Sequence, residues 1–177
     1  MDMDFEGRSD VSIDEYIEMI RLKTSVLLGC ALEIGSIVAE ASDKDRAAIY
    51  DFGQHIGIAF QIQDDILDLY ADPDKFGKQV GGDVIANKKT LLHLTALKNA
   101  TKEQLEVLKQ LQREQNLVLK VDRTRRLFDQ LNVRSICEAR MQEHYDIAMK
   151  SLSKIEVDES RKEKLIGLAA FLMNREV

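Results

Sequence analysis

Five pairs in which a Ser or Thr precedes an acid or amide by three residues set out the helices: Ser12 with Glu15, Ser42 with Asp45, Thr101 with Gln104, Ser135 with Glu138 and Ser160 with Glu163. In that spacing the hydroxyl caps a backbone N–H of the first helical turn and the longer side chain reaches back to the cap, so each pair marks a helix start. The first pair opens an apolar-periodic segment running to about Glu40, and the second opens one running to about Tyr70. Thr101 opens a short helix with Leu105, Leu108 and Leu111 on one face. Ser135 opens a helix ending near Ile155, and Ser160 opens the last, with Leu165, Leu168, Ala169 and Leu172 on one face. Two more helices are expected over about 88–99 and 121–131. No period-two strand of useful length appears, and Pro73 is the only proline in 177 residues. The expectation is an all-α chain forming one helical domain over residues 1–177.

The longest irregular stretch, about 71–87, holds Pro73, Gly77, Gly81 and Gly82. A loop of that length inside a compact domain is usually functional or disordered. The residues just before it, Phe60-Gln61-Ile62-Gln63-Asp64-Asp65-Ile66-Leu67-Asp68, are unusual. Each helical residue turns by about 100°, so with Asp64 at zero, Asp68 lies near 40°, Gln61 near 60° and Asp65 near 100°. Four polar groups share a narrow stripe while the rest of the circumference is apolar, the reverse of a surface helix. Carboxylates crowded on a buried helix repel one another and lose hydration, so they call for protons or cations. A hard divalent ion with oxygen ligands and retained waters suits them. A solvated acidic face is the competing reading.

Phe76-Gly77-Lys78-Gln79-Val80-Gly81-Gly82-Asp83 follows, and then Asn87-Lys88-Lys89-Thr90. Glycines let backbone amides approach an anion, and lysines are point charges suited to phosphate. The spacing is not that of a Walker A loop. Taken alone the loop reads equally as a surface turn. Directly behind the acidic helix it completes a metal–diphosphate set. Lys23-Thr24 lies inside the first helix, where a Thr can bond back to the preceding turn and bend it. Such a bend could aim the Lys23 head inward.

The net charge is −6, with no basic run, which excludes a reader of nucleic-acid backbones. Cys30 and Cys137 lie far apart and fall in no metal-binding spacing, so they read as reduced, packed thiols. His55, His93 and His144 show no ligand spacing, and His55 reads as a core residue. No apolar run is long enough to span a membrane. The acidic start is unlike a signal peptide, so a cytoplasmic protein is expected.

Together these residues resemble the trans-isoprenyl diphosphate synthases, the polyprenyl synthetase family. Phe60-Gln61-x-x-Asp64-Asp65-Ile66-Leu67-Asp68 looks like that family's second aspartate-rich motif. Gly77-Lys78-x-x-Gly81-x-Asp83, with Lys88 and Thr90, resembles the loop behind it, and Lys23-Thr24 resembles the family's Lys-Thr pair. Asp2 to Glu6 looks like the stretch that follows a Gly-Gln pair in these enzymes.

The resemblance implies part of an isoprenoid-synthase-type helical bundle, corresponding to the C-terminal half of such an enzyme. The first aspartate-rich motif and an arginine pair belong upstream and are not in this sequence, so the chain alone is expected to be inactive. The implied reaction joins isopentenyl diphosphate to an allylic diphosphate. By resemblance, Asp64, Asp65 and Asp68 hold Mg2+, while Lys23, Lys78 and Lys88 neutralise diphosphate. Gln61 and Thr24 turn oxygen dipoles toward the allylic cation, and Phe60 packs near the isopentenyl group. Surface uncovered by the missing half implies a homo-oligomer, a dimer being the simplest. The competing reading is a non-catalytic helical subunit that binds a partner chain. A terpene cyclase would share the magnesium logic but fits the lysine loop less well.

Overall fold

The computed structural model describes Arg8 and residues 10–72 and 80–174. Lys78, Gly77 and the Asp2 to Glu6 stretch lie outside the described residues. Among the described residues every regular element is helical. They are α1 (Ile13–Ile20), α2 (Val26–Val38), α3 (Asp43–Tyr70), α4 (Gly82–Ile85), α5 (Leu91–Asn99), α6 (Lys102–Gln112), α7 (Leu117–Gln130), α8 (Val133–Ser153) and α9 (Glu159–Asn174). A π-helical turn, Arg21–Ser25, joins α1 to α2.

Three of the five expected caps form. Glu15 N–H donates to Ser12 Oγ, and Ser12 N–H donates back to the Glu15 carboxylate at 2.9 Å. Asp45 N–H donates to Ser42 Oγ at the start of α3, and Thr101 with Gln104 closes a full capping box on α6. The other two pairs fall one or two residues inside their helices. Asn132 takes a left-handed φ of 53°, turning the chain sharply, so α8 begins at Val133. Glu138 then pairs with Arg134 at 2.8 Å instead of capping. Likewise α9 starts at Glu159, whose carboxylate takes Lys162 at 2.9 Å. Helix α7 begins four residues earlier than the periodicity indicates, because Asn116 caps it by accepting from Leu119 N–H.

The described residues cluster into two compact units, one made of residues up to Tyr16 with Asp64–Ala139, the other of Ile17–Gln63 with the chain from Arg140 onward. In the second, Ile49, Phe52 and Ile56 of α3 pack with Ala148 and Leu152 of α8 and Ala169 of α9. Small residues let α2 and α3 close on each other. A Cβ on Gly53 would lie 2.9 Å from the Gly29 Cα, and one on Gly57 would lie 2.7 Å from the Ser25 Cα. Ser25 is fully buried at the end of the π turn. The Lys23-Thr24 pair lies in this π turn, where an extra residue is accommodated beside the close approach of Gly57 to Ser25. His55 and His144 bond through their Nδ1 atoms at 2.9 Å, with ring centroids 5.2 Å apart. Burial lowers both pKa values, His144 to about 4.

In the unit containing Asp64–Ala139, the inner faces carry Leu91, Leu92 and Leu94 of α5, Leu108 and Leu111 of α6, Leu127 and Phe128 of α7, and Val133 and Cys137 of α8. Burial of each such side chain contributes about 1.5–3 kcal/mol. Burial also pushes the Cys137 thiol up to about 12, so it stays protonated and inert. Tyr70, the last residue of α3, donates to Asp129 at 2.9 Å, with the Arg125 and Arg134 guanidinium carbons 5.2 and 5.1 Å from its ring centre. These contacts fix the helix end that carries the three aspartates.

Candidate metal and diphosphate site

Helix α3 carries Asp64, Asp65 and Asp68, and the apolar positions around them, Ile62, Ile66, Leu67 and Leu69, are buried. The three aspartates and Gln61 are only partly buried. The polar stripe is thus the wetter face of an otherwise buried helix.

The three carboxylates have different surroundings. Asp65 turns inward. Its Oδ2 accepts from the Tyr16 hydroxyl at 2.6 Å and from the Leu91 N–H, the first of α5, at 3.0 Å. Loss of hydration raises its pKa to about 7, with the two hydrogen bonds opposing the rise. Burial, followed by the neighbouring Asp65 charge, raises the Tyr16 pKa well above normal, so the phenol remains a donor. Asp65 therefore joins α1, α3 and the start of α5.

Asp68 faces the turn that follows. Its Oδ2 accepts from the Asp83 N–H at 3.0 Å, and its main-chain carbonyl accepts from the Gly81 N–H at 2.5 Å. Burial raises the Asp68 carboxyl, and the Asp83 N–H opposes that rise. Gly81 has a φ of 81°, and a Cβ there would lie 2.6 Å from Val121 Cγ1. A Cβ on Gly82 would come within 3.2 Å of Asp68 Oδ1. The two glycines thus let backbone amides reach an anion, as the sequence indicates, but the anion they reach is the chain's own Asp68 carboxylate.

Beyond α4 the chain ends the helix in a Schellman motif. Asn87 takes a φ of 53°, its N–H donates to Val84, and the Lys88 N–H donates to the Asp83 carbonyl at 2.9 Å. This places Lys88 Nζ 2.6 Å from Asp83 Oδ1. Asp68, Asp83 and Lys88 so form one junction at the end of α3, and Thr90 caps α5 beside it. Tyr16 is a site-building residue that no motif marks, whereas Asp83 and Thr90 belong to the loop motif and take their roles as backbone donor and helix cap from the fold.

Lys23, Thr24, Phe60 and Gln61 lie in the other unit. Lys23 is exposed and Thr24 partly buried in the π turn. Phe60 and Gln61 sit one helical turn before Asp64 on the continuous α3. Among the described residues no three His, Cys, Asp or Glu side chains enclose a metal by themselves. Carboxylate oxygens as the donor set fit an ion that keeps most of its waters.

The sequence profile of the polyprenyl synthetase family matches residues 1–130. The chain belongs to this family. It is 35% identical over 178 aligned residues to a short chain isoprenyl diphosphate synthase of Methanothermobacter thermautotrophicus, covering 99% of this chain and 54% of that protein. A crystal structure of a geranylgeranyl pyrophosphate synthase superposes with a TM-score of 0.90 at 37% identity, covering 99% of this chain and 55% of that one. A polyprenyl synthase from Caulobacter crescentus, solved in complex with calcium and isoprenyl diphosphate, gives a TM-score of 0.88 at 26% identity, covering 99% and 54%. The chain spans about half the length of the relatives it matches. No helix among its described residues is long and apolar enough to cross a membrane.

Proposed function

We propose that this chain contributes one side of a trans-prenyltransferase site, in which isopentenyl diphosphate is joined to an allylic diphosphate. The observation that carries the reading is the Asp68–Asp83–Lys88 junction, where acidic oxygens and an ammonium meet at one helix end. In the reaction the allylic C–O bond breaks and the diphosphate departs. The isopentenyl double bond attacks the carbon so exposed, and loss of a proton yields a longer allylic diphosphate. Asp64 and Asp68 are the residues that hold Mg2+, directly or through water, while Asp65 fixes the helix that presents them. Magnesium, when bound, supplies positive charge against the departing diphosphate. A relative solved with calcium and isoprenyl diphosphate supports a divalent ion in this role.

Lys88, Lys78 and Lys23 neutralise diphosphate oxygens as point charges. Gln61 and Thr24 direct oxygen dipoles toward the developing carbocation, and Phe60 excludes water from it. Free thiols at Cys30 and Cys137 support a reducing, cytoplasmic location. Exposed apolar side chains on α2, with Leu27 at 74% and Val38 at 80%, support a homodimer.

The test is incorporation of labelled isopentenyl diphosphate into an allylic primer with magnesium, by the 177-residue chain alone and mixed with the first half of an isoprenyl diphosphate synthase relative. The expected result is no turnover alone, turnover in the mixture, and its loss on Asp64→Ala. A mixture that stays inactive, with no binding of magnesium diphosphate by the chain, overturns the proposal. The exposed apolar side chains of α2 favour a second reading, a helical module that binds a partner chain without chemistry. In that case the mixture associates, and Asp64→Ala changes neither association nor any activity.

A further inference from the structure

One buried cation has no part in the site described so far. Lys120 lies one turn inside α7 and is only 4% exposed. Its Nζ donates to the Ile85 carbonyl at 3.1 Å and to the Gln112 carbonyl at 3.4 Å. Ile85 is the last residue of α4 and Gln112 the last of α6. Terminal helix carbonyls have no partner within their helix, and each helix end carries partial negative charge. Burying an ammonium is unfavourable unless such acceptors receive it. Lys120 therefore sits where two helix ends converge, and Asn87 Nδ2 reinforces the junction by donating to the same Gln112 carbonyl at 3.2 Å.

The residue beside it adds a second contact. Val121 is the side chain that packs against Gly81. Helix α7 thus holds the Gly81–Ile85 segment at both ends, by Val121 at the left-handed glycine and by Lys120 at the end of α4. Between these points lies Asp83, bonded to Asp68, and just past them Lys88, bonded to Asp83.

We propose that Lys120 is a positioning residue for diphosphate binding: its ammonium clamps the ends of α4 and α6 so that Asp83 and Lys88 stay registered on Asp68. The proposal rests on the diphosphate reading above. It assigns Lys120 no contact with ligand. Its charge, not its bulk, is what matters, so methionine, which fills a similar volume without donors, separates the clamp from simple packing.

The experiment uses the full chain, with magnesium and inorganic diphosphate as the probe in titration calorimetry. Native-state hydrogen exchange is followed in parallel at the Ala86, Asn87 and Lys88 amides, which donate within the α4 turn. Lys120→Met is expected to weaken binding about tenfold and to speed exchange at those three amides while the α5 amides stay protected. Lys120→Arg, which keeps charge and donors, stays within about threefold of the parent on the same scale. Asn87→Gly keeps the left-handed turn but loses the bond to Gln112, and shifts both readouts in the same direction by less.

If Lys88→Ala weakens binding and Lys120→Met leaves affinity and exchange unchanged, the clamp is overturned. If Lys88→Ala has no effect, the diphosphate reading fails. Exchange alone then decides the clamp, and unchanged rates in Lys120→Met overturn it. Should Lys120→Met not fold, Asn87→Gly carries the test, and its parent-like exchange and affinity overturn the proposal.

Discussion

Replacing Gly81 by alanine tests the geometry of the site most directly, because two separable costs act on one methyl group. The first is conformational. At a φ of 81°, an L side chain crowds the backbone, which costs about 1–2 kcal/mol. The second is steric. The new Cβ would lie 2.6 and 2.7 Å from the two Val121 methyls, well inside contact distance. Overpacking of that kind costs about 1–3 kcal/mol. The sum, about 2–5 kcal/mol, is a large share of the 5–15 kcal/mol that holds a typical domain together.

Val121→Ala removes the obstructing methyls but not the backbone strain. Val121 is only partly buried, so truncating it alone costs about 1 kcal/mol. The double variant should then be less destabilised than the sum of the singles by about 1–3 kcal/mol, the steric part. A residual of about 1–2 kcal/mol should remain from the φ angle. Urea unfolding of the four proteins reads all three numbers. Gly35→Ala is the control: that glycine lies within α2 with nothing within 4 Å of a built Cβ, so alanine should stabilise by roughly 0.5–1 kcal/mol. Additive single costs, or a Gly81→Ala chain as stable as the parent, would refute the argument. So would a double variant no less stable than Val121→Ala.

Further outcomes follow from the same contacts. Tyr16→Phe removes one hydrogen bond to Asp65 and should cost about 1.5–3 kcal/mol in urea unfolding; no loss would mean the carboxylate does not depend on the phenol. Burial and the nearby Lys89 charge lower the His93 pKa from 6.5 to about 4, so the fold favours the neutral ring. Its contribution is intact above about pH 6.5 and is lost as pH falls toward 4, up to roughly 3 kcal/mol. His93→Gln should flatten the pH dependence of unfolding by that amount, and identical profiles would rule the assignment out. A Cβ on Gly57 would meet the Ser25 backbone, so Gly57→Ala should destabilise by about 1–3 kcal/mol in the same unfolding assay. Light scattering at micromolar concentration should report more than one copy per particle, and a clean monomer would contradict the inferred dimer.

Much of the fold is legible because helix caps and apolar periodicity are local. Ser12, Ser42 and Thr101 announce their helices within four residues of sequence, and the structure needs no distant partner to honour them. Where local signals compete, the nearest strong bond decides. Glu138 is within reach of both Ser135 and Arg134, and the charged pair takes it once Asn132 has started the helix early. Long-range pairings leave no such trace. Nothing in the spacing of His55 and His144 says that their rings stack, and nothing near Lys120 says that two helices will end on it.

The acidic motif shows where periodicity runs out. On a helix, Asp64, Asp65 and Asp68 spread over roughly 100° of arc, which is enough to call the stripe polar and too little to tell its members apart. What separates them is what surrounds the helix. Asp65 lies at the far side of that arc, where Tyr16 and the start of α5 hold Oδ2 from inside the protein and burial still raises its pKa to about 7. Asp68 lies toward the turn, where the Asp83 amide takes Oδ2 and the Lys88 charge also favours the carboxylate. Two interior donors on one carboxylate oxygen tie the helix to its neighbours, whereas a carboxylate at the more open turn is the one a hydrated ion reaches. On that argument Asp65→Asn should act mainly on stability, and Asp68→Asn should act mainly on magnesium diphosphate affinity. Unfolding and calorimetry on the same two variants distinguish these effects, and a larger affinity loss in Asp65→Asn than in Asp68→Asn would reverse the assignment.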